Sequence, residues 1–246
     1  MQTDAFSIEE DKARRYATLR FTRGADGNRL LAREIPLVGK AIHSLAASKD
    51  VKLVLVRGDG ENFCLGRKPD APGSAPTTAL GIRSGITEPI LDVYADIRAA
   101  EIPVIAVVQG KALGFGCAFV AQCDLAIAAE DATFALPELD HHLPPTLAIS
   151  AMLHKLPPKR ILQMVYTRRT IGAAEALSIG LLSEIAPKGG LEAAVEKLLA
   201  QLLDRNRAAL AGIKEYMGAA LYADPNGASR LAANLLSCVL SSPREE

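Results

Sequence analysis

The first half of the chain alternates short segments rich in apolar and β-branched residues with amphipathic ones, which predicts strands alternating with helices. Apolar and β-branched residues dominate three segments, residues 14–21 (RRYATLRF), 51–58 (VKLVLVRG) and 102–110 (IPVIAVVQG), and each is predicted as a strand. The last is apolar at nearly every position, as in a strand that is covered on both faces. Residues 124–129 (DLAIAA) predict a further strand.

Two amphipathic segments lie between these strands. In residues 36–47 (PLVGKAIHSLAA) and 88–100 (EPILDVYADIRAA), apolar residues recur at helical spacing. Tyr94 shares the apolar face of the second segment with its Ile and Leu neighbours. Alternating strands and helices are typical of an α/β fold.

The second half of the chain is predicted to be almost entirely helical after residue 145, apart from one short strand within residues 181–187 (LLSEIAP). We therefore expect a mixed core over residues 1–188 and a helical region over residues 189–246. The last helices are apolar over much of their circumference, so they need a partner surface in this chain or in another copy of it. Residues 67–81 are rich in Pro, Gly, Ser and Thr and predict a mobile loop.

The charge balance excludes several classes of partner. Lys plus Arg and Asp plus Glu both number 28, so no net charge attracts nucleic acid or an anionic membrane. No apolar run reaches the roughly 18 residues of a membrane span, and the first residues do not resemble a secretory signal. The four cysteines lack metal-ligand spacing. We expect reduced thiols, no metal site and a cytoplasmic location.

A glycine-rich turn follows the apolar strand that ends at Gly110. Gly114 and Gly116 flank Phe115, and an apolar helix is predicted to begin there. The N–H groups at the start of a helix suit a phosphate, a carboxylate or a developing oxyanion. A dinucleotide-binding turn and a packing turn without a ligand are alternatives, although Phe119 occupies the third glycine position of the dinucleotide motif.

A carboxylate with several polar neighbours stands further along, in residues 134–145 (FALPELDHHLPP). The apolar surroundings of Glu138 should raise the pKa of its carboxyl and make it a better base. In an extended chain Asp140 would share a side with Glu138, whereas in a turn His141 or His142 could approach it. Each histidine could equally be a loop residue bonded to backbone.

Residues 102–139 resemble the enoyl-CoA hydratase/isomerase (crotonase) superfamily. The family's motif residues occur in order at matching spacing: Pro103, Gly110, Gly114, Gly116, Cys123, Asp124, Phe134, Pro137 and Glu138. Residues 60–68 (GENFCLGRK) and 173–187 (AAEALSIGLLSEIAP) are similar to two further family segments. The resemblance extends from about residue 15 to residue 220.

This resemblance implies a spiral of ββα units with a C-terminal region that forms trimers, often paired into hexamers. It also implies an acyl-CoA substrate and no separate cofactor. The backbone N–H groups of Arg67 and Phe115 would hold the thioester oxygen as it becomes an enolate oxyanion. The residues implied to contact the CoA part are Gly66, Arg67, Lys68, Gly114 and Gly116.

The family's hydratases use two glutamates, and this chain matches only the second. The first position is Ala118, whereas the second is Glu138. One base suffices to move a double bond, so the resemblance favours Δ3-Δ2 enoyl-CoA isomerisation. The alternatives are a hydratase in which Asp140, His141 or His142 substitutes for the missing glutamate, a hydrolytic or C–C-cleaving enzyme, and a catalytically weak acyl-CoA binder.

Two segments depart from the family pattern. An aspartate that often follows the oxyanion-hole position is displaced here to Asp70, and residues 142–147 (HLPPTL) replace a glycine-rich segment, with Pro145 at the family's proline. The displaced Asp70 predicts different contacts of this loop with adenine or pantetheine, and residues 142–147 predict an altered acyl pocket. We also expect residues 69–81 to become ordered when CoA binds, which hydrogen exchange with and without ligand would test.

Overall fold

The computed structural model describes residues 3–69, 71, 73 and 76–242. A six-stranded sheet has the order β1-β2-β3-β4-β6-β9, and a three-stranded sheet has the order β5-β7-β8. The strands are β1 Phe6–Asp11, β2 Tyr16–Phe21, β3 Leu53–Gly58, β4 Val104–Val108, β5 Lys111–Leu113, β6 Leu125–Ala129, β7 Thr133–Ala135, β8 Ile171–Gly172 and β9 Glu184–Ala186. Only the β1–β2 pair of the large sheet is antiparallel.

Helices surround the two sheets. They are α1 Ile35–Ala47, α2 Ala79–Ile82, α3 Glu88–Ala99, α4 Phe115–Gln122, α5 Thr146–Met152, α6 Pro158–Thr167, α7 Ala173–Ser178, α8 Leu191–Leu203, α9 Arg207–Ala220 and α10 Pro225–Ser241. A π-helical turn, Arg83–Thr87, joins α2 to α3. Within the described ranges, no helix has the length and apolar character needed to cross a bilayer.

The large sheet is buried on both faces, as the apolar character of residues 102–110 predicts. Alternate residues of β3 and β4 face opposite sides. Val54 and Val104 belong to the main core with α1, α3 and α4. Leu55 and Ile105 belong to a second cluster with Val195 and Leu199 of α8.

The parallel direction of β3 and β4 places two functional segments at one edge of the sheet. Residues 59–69 follow β3, and residues 109–116 follow β4. Strands β3 and β4 are hydrogen-bonded neighbours. Ligand sites of parallel sheets lie at the carboxyl ends of the strands, so this edge is where a site is expected.

The predicted α/β fold and the helical C-terminal region are confirmed. Strand β1 was not predicted, because its two successive exposed residues Glu9 and Glu10 interrupt the apolar alternation that indicates a strand. The division of the chain between residues 188 and 189 stays a prediction. Helix α8, which follows that division, packs on the large sheet. Cys64, Cys117 and Cys123 are buried free thiols, and Cys238 is an exposed one.

Candidate active site

The segment after β3 lies directly beside the start of α4. The Cys64 N–H donates to Lys111 O at 3.2 Å, and the Leu113 N–H donates to Cys64 O at 2.9 Å. A Cβ added to Gly66 would lie 3.7 Å from Phe115 N and 3.1 Å from Leu113 O. Residues 64–67 and the glycine turn therefore form one compact backbone surface.

Hydrogen bonds to Leu30 orient the backbone of Arg67. The Leu30 N–H donates to Gly66 O at 3.2 Å, and the Lys68 N–H donates to Leu30 O at 2.7 Å. Successive N–H groups of an extended chain point to opposite sides. The Arg67 N–H consequently points away from Leu30.

The glycines on either side of Phe115 are required by the geometry. Gly114 has φ 52° and ψ −118°, a combination that side-chain-bearing residues rarely adopt. A Cβ on Gly116 would lie 2.2 Å from Cys64 O, which leaves no room for a side chain. Because Phe115 is the first residue of α4, its N–H is among those without an intrahelical acceptor.

Glu138 is held next to this turn by strand β7. The Gly114 N–H donates to Ala135 O at 2.9 Å, which ties the end of β7 to the turn. Glu138 then begins a 3₁₀ turn, Glu138–His141. A Cβ on Gly114 would lie only 3.0 Å from Glu138 Oε1. The structure thus brings Glu138, Gly66 and Phe115 together.

The environment of Glu138 favours the protonated carboxyl. Its Oε2 atom is fully buried and has no hydrogen-bond partner among the described residues. Burial raises the pKa of the Glu138 carboxyl above its ordinary value of 4.5, and the charge of His141 opposes this effect more weakly. A carboxylate with a raised pKa is a stronger base towards a carbon-bound proton.

The polar residues after Glu138 do not form a group around it. The segment turns rather than extending, and the Asp140 carboxylate pairs with the Arg168 guanidinium. Both His141 and His142 are exposed, and His142 ends the turn in the left-handed conformation at φ 57°. Of these three side chains, His141 is the one whose charge acts on the Glu138 carboxyl, where it lowers the pKa.

Position 118 is enclosed and apolar, and Tyr94 of α3 packs on the neighbouring Phe115. Ala118 is 0% exposed. Tyr94 is 2% exposed, and its ring stacks on that of Phe115 with centroids 6.2 Å apart and planes 14° apart. The sequence predicts Tyr94 only as part of the apolar face of α3. Its residue type was the signal that could have singled it out, because a buried tyrosine usually needs a hydrogen-bond partner for its hydroxyl.

The cationic residues after Gly66 lie towards the surface. Lys68 is exposed, and its Nζ pairs with Asp26 Oδ2 at 2.8 Å. Arg67 is partly buried, while Asp70 lies outside the described residues, as do three further positions of the 69–81 loop. In the part of the chain that is described, no cluster of His, Cys, Asp or Glu suits a metal ion.

Comparison with known proteins agrees with these features. A family model described as enoyl-CoA hydratase/isomerase matches residues 15–242. The chain is 32% identical over 184 residues to the carnitinyl-CoA dehydratase of Salmonella typhi, covering 72% of this chain and 67% of that protein. It is 30% identical over 162 residues to the human mitochondrial enoyl-CoA hydratase domain-containing protein 3, covering 66% and 53%. The chain thus spans about half the length of that relative and of its mouse counterpart, of which 55% is covered.

Solved structures share the fold over nearly the whole chain. An enoyl-CoA hydratase of Mycobacterium smegmatis superposes with a TM-score of 0.91 at 26% identity, covering 98% of this chain and 93% of that one. The human enoyl-CoA hydratase domain-containing protein 3 superposes with a TM-score of 0.88 at 24% identity, covering 97% and 92%. With the family model matching most of its length, this chain belongs to the enoyl-CoA hydratase/isomerase (crotonase) family.

Proposed function

We propose that this chain acts on an acyl-CoA thioester, with Glu138 as the base that removes a proton from Cα. The observation that carries the proposal is the position of Glu138 Oε1, close to where a Cβ of Gly114 would lie and thus next to the Phe115 N–H. A base and a backbone donor at one place are what enolate formation requires. Coenzyme A enters as part of the substrate, so we propose no separate cofactor.

Two backbone donors would stabilise the enolate. As Glu138 takes the proton, negative charge moves to the thioester oxygen, which accepts hydrogen bonds from the N–H groups of Arg67 and Phe115. The positive end of the α4 dipole adds to this stabilisation. Because the charge appears only as the proton leaves, these contacts lower the barrier, by about 3 kcal/mol for each donor.

Double-bond migration is the reaction that this arrangement favours. Glu138 can return its proton to Cγ of the dienolate, which converts a 3-enoyl-CoA into a 2-enoyl-CoA without a second carboxylate. Ala118 supplies none, Asp140 is engaged by Arg168, and both neighbouring histidines are exposed. A hydrolytic or C–C-cleaving enzyme would need one of these histidines to assist at the site, and their exposure gives little support to that role.

A paired assay on purified protein tests this proposal. Initial rates are measured with 3-enoyl-CoA and 2-enoyl-CoA substrates of several chain lengths, for the wild-type chain and for Glu138→Gln. Fast migration and slower hydration, both lost in Glu138→Gln, are expected. Activity that survives Glu138→Gln would contradict the role of this carboxylate. CoA binding without either reaction would favour the acyl-CoA-binding alternative.

The assembly and location remain proposals as well. We propose that the chain forms a homotrimer or homohexamer, supported by the exposed apolar residues of α9 and α10. The balanced charge supports the absence of nucleic-acid and membrane partners. A cytoplasmic location stays a prediction.

A further inference from the structure

Asn28 is a buried polar residue that lies outside the proposed proton transfer. It is 1% exposed, and its φ of 56° follows a φ of 64° at Gly27. Asparagine adopts this left-handed conformation more readily than most residues that carry a side chain. Two successive residues in this conformation hold the chain in one tight turn, from which the side chain of Asn28 points into the protein.

The side-chain amide of Asn28 holds the loop that follows β3 at two points. Its Nδ2 donates to Asp59 O at 2.9 Å and to Asn62 O at 2.8 Å. A Cβ on Gly58 would lie 2.6 Å from this nitrogen, so the glycine at the end of β3 leaves room for the amide. An amide nitrogen has two hydrogens to donate, and both are used to hold this loop.

The backbone of Gly27 and Asn28 holds the next part of the same loop. The Leu65 N–H donates to Gly27 O at 2.8 Å. The Cys64 thiol donates to Asn28 O at 3.3 Å. The loop is therefore fixed to Asn28 first through its side chain and then through its backbone.

Leu30, two residues after Asn28, extends this contact to the first proposed oxyanion donor. The Leu30 N–H donates to Gly66 O at 3.2 Å, and Leu30 O accepts from the Lys68 N–H at 2.7 Å. Leu30 and Arg67 also form a parallel bridge. The direction of the Arg67 N–H consequently depends on where the Asn28 turn places Leu30.

The loop residues that Asn28 bonds are also bonded to the strand that leads to Phe115. Asn62 Oδ1 accepts from the Lys111 N–H at 3.1 Å, and the Cys64 N–H donates to Lys111 O at 3.2 Å. Lys111 begins β5, which ends directly before the glycine turn. Asn28 therefore belongs to a hydrogen-bonded frame that connects the segments of both oxyanion donors.

The position of Asn28 has two costs in stability. Its Oδ1 atom is buried and has no hydrogen-bond partner among the described residues, and an unpaired buried oxygen is unfavourable. A left-handed φ is also unfavourable for a residue with a side chain. Unpaired polar groups and backbone strain concentrate at functional sites, where the geometry has to be exact. The two costs indicate a role in placing the loop.

We propose that Asn28 is a positioning residue of the oxyanion hole, which sets the separation of the Arg67 and Phe115 N–H groups. This inference rests on the proposed function, because it concerns the same two donors. Asn28 is buried and acts through the loop rather than on the substrate. Donors of this kind lower a barrier only when they are held in place beforehand, and a displacement of about 1 Å can cost about 100-fold in rate.

The carbonyl carbon of a bound thioester reports on the two donors directly. Butanoyl-CoA labelled with ¹³C at C1 is bound to the Glu138→Gln chain, with and without Asn28→Gly, and observed by NMR. Hydrogen bonds to the carbonyl oxygen polarise the C=O bond and move this resonance downfield. Glycine accepts the left-handed φ but lacks the amide. We expect the shift between free and bound ligand to fall by at least about half in the Asn28 variant.

Kinetics of the chain with Glu138 intact give a second readout. Asn28→Asp joins Asn28→Gly here, because aspartate keeps the size of the side chain but places an acceptor against two carbonyl oxygens. Both variants should lower kcat for 3-enoyl-CoA isomerisation about tenfold or more and leave KM within about twofold, since the weakened contacts form fully only in the transition state. Thermal unfolding checks folding, and either variant that folds carries the test.

Gln109→Met is the matched control, because Gln109 holds the same loop at other residues. Its Nε2 donates to Gly58 O at 2.6 Å and to Gly60 O at 3.2 Å. This variant also loses two amide hydrogen bonds to the loop, so its unfolding temperature should fall comparably. Its kcat should stay within about twofold of the wild type, because the contacts of residues 27–30 with the loop remain.

The outcomes separate this inference from the proposed function. An unchanged carbonyl shift in Asn28→Gly, or an equal fall of kcat in the Asn28 and Gln109 variants, would overturn the positioning role and leave the proposed base and donors in place. If the carbonyl resonance does not move when the ligand binds the chain with Asn28 intact, the proposed oxyanion hole is wrong and the inference fails with it.

Discussion

The sheet core and the last two helices are stabilised by different means. Strands β3 and β4 and helix α4 are buried almost completely, and apolar contacts hold them together. Helices α9 and α10 contribute one buried residue, Leu210. Large apolar side chains are instead exposed on this pair and at the end of α9: Ile213, Met217, Leu221, Leu236 and Leu240.

Cationic side chains attach α9 to the core. Lys214 Nζ donates to Ile97 O at 2.9 Å and to Ile102 O at 3.1 Å, and it pairs with Asp124 Oδ2 at 2.7 Å. The Arg207 guanidinium donates to Val51 O at 3.0 Å. The residues of the candidate site are thus buried within this chain or lie against it, whereas the large apolar side chains of α9 and α10 are exposed.

The glycine pair Gly114 and Gly218 gives the largest expected contrast between the two regions. In Gly114→Ala, the added Cβ would lie 3.0 Å from Glu138 Oε1 at φ +52°. This change should lower kcat at least about 100-fold by displacing the base and cost about 1–3 kcal/mol of stability. Rate measurements and denaturant unfolding check both effects.

Gly218→Ala is the matched control in α9. A Cβ at Gly218 would have no neighbour within 4 Å. Alanine favours a helix over glycine by about 1 kcal/mol, so stability should rise and the rate should not change. Equal effects of the two substitutions would contradict the assigned difference between the regions.

Charges on α10 should disrupt the proposed assembly. Leu236 and Leu240 are 60% and 77% exposed, so Leu236→Asp with Leu240→Asp leaves the single chain folded but makes association unfavourable. Analytical ultracentrifugation should show the mass of a single chain for the variant and a multiple of it for the wild type. A single-chain mass for the unaltered protein would refute the proposal.

Removing one cationic anchor should loosen α9 with a smaller effect. Lys214→Met removes the ammonium donor from two carbonyls and from Asp124 Oδ2, which keeps the hydrogen bond from the Val104 N–H. The loss should cost about 2–3 kcal/mol in the free energy of unfolding. Lys197→Met on the exposed face of α8 is the control and should change stability by less than about 0.5 kcal/mol. Comparable losses in both variants would argue against the anchoring role.

The smallest expected effect is the pH dependence that Glu138 confers on stability. Its pKa is raised by burial, so the folded chain binds this proton more tightly than the unfolded chain. The contribution of Glu138 to stability therefore falls as pH rises from 4.5, its ordinary pKa, through the raised value.

Glu138→Gln does not titrate and should avoid this loss. At pH about 7 it should unfold at a higher temperature than the wild type, by about 2–4 °C per kcal/mol of relieved penalty. The difference should disappear below the ordinary pKa. A variant that unfolds at a lower temperature at neutral pH would indicate that the Glu138 carboxylate is stabilised in the fold.

Much of the site could be predicted because its determinants are local in sequence. Gly114 and Gly116 directly follow a buried strand, and the apolar residues around Glu138 are its chain neighbours. The glycine spacing therefore predicted the tight turn, and the apolar neighbours of Glu138 predicted a raised pKa for its carboxyl. That Gly66 lies beside Phe115 was predicted instead from the family resemblance.

The remaining features depend on contacts between distant segments. Arg168 engages Asp140 from 28 positions away, and Tyr94 reaches Phe115 because α3 packs on α4. Periodicity places a residue on a helix face but does not give the partner of that face. Neither contact could therefore be predicted from the local pattern.

The central claim is that Glu138 removes the Cα proton of a bound thioester. The most direct test is exchange of the C2 protons of butanoyl-CoA in D₂O, followed by NMR, because this saturated ligand can neither isomerise nor hydrate. The wild-type chain should incorporate deuterium at C2, and Glu138→Gln should do so at least about 100-fold more slowly while still binding the ligand. Equal exchange rates for the two proteins would contradict the account.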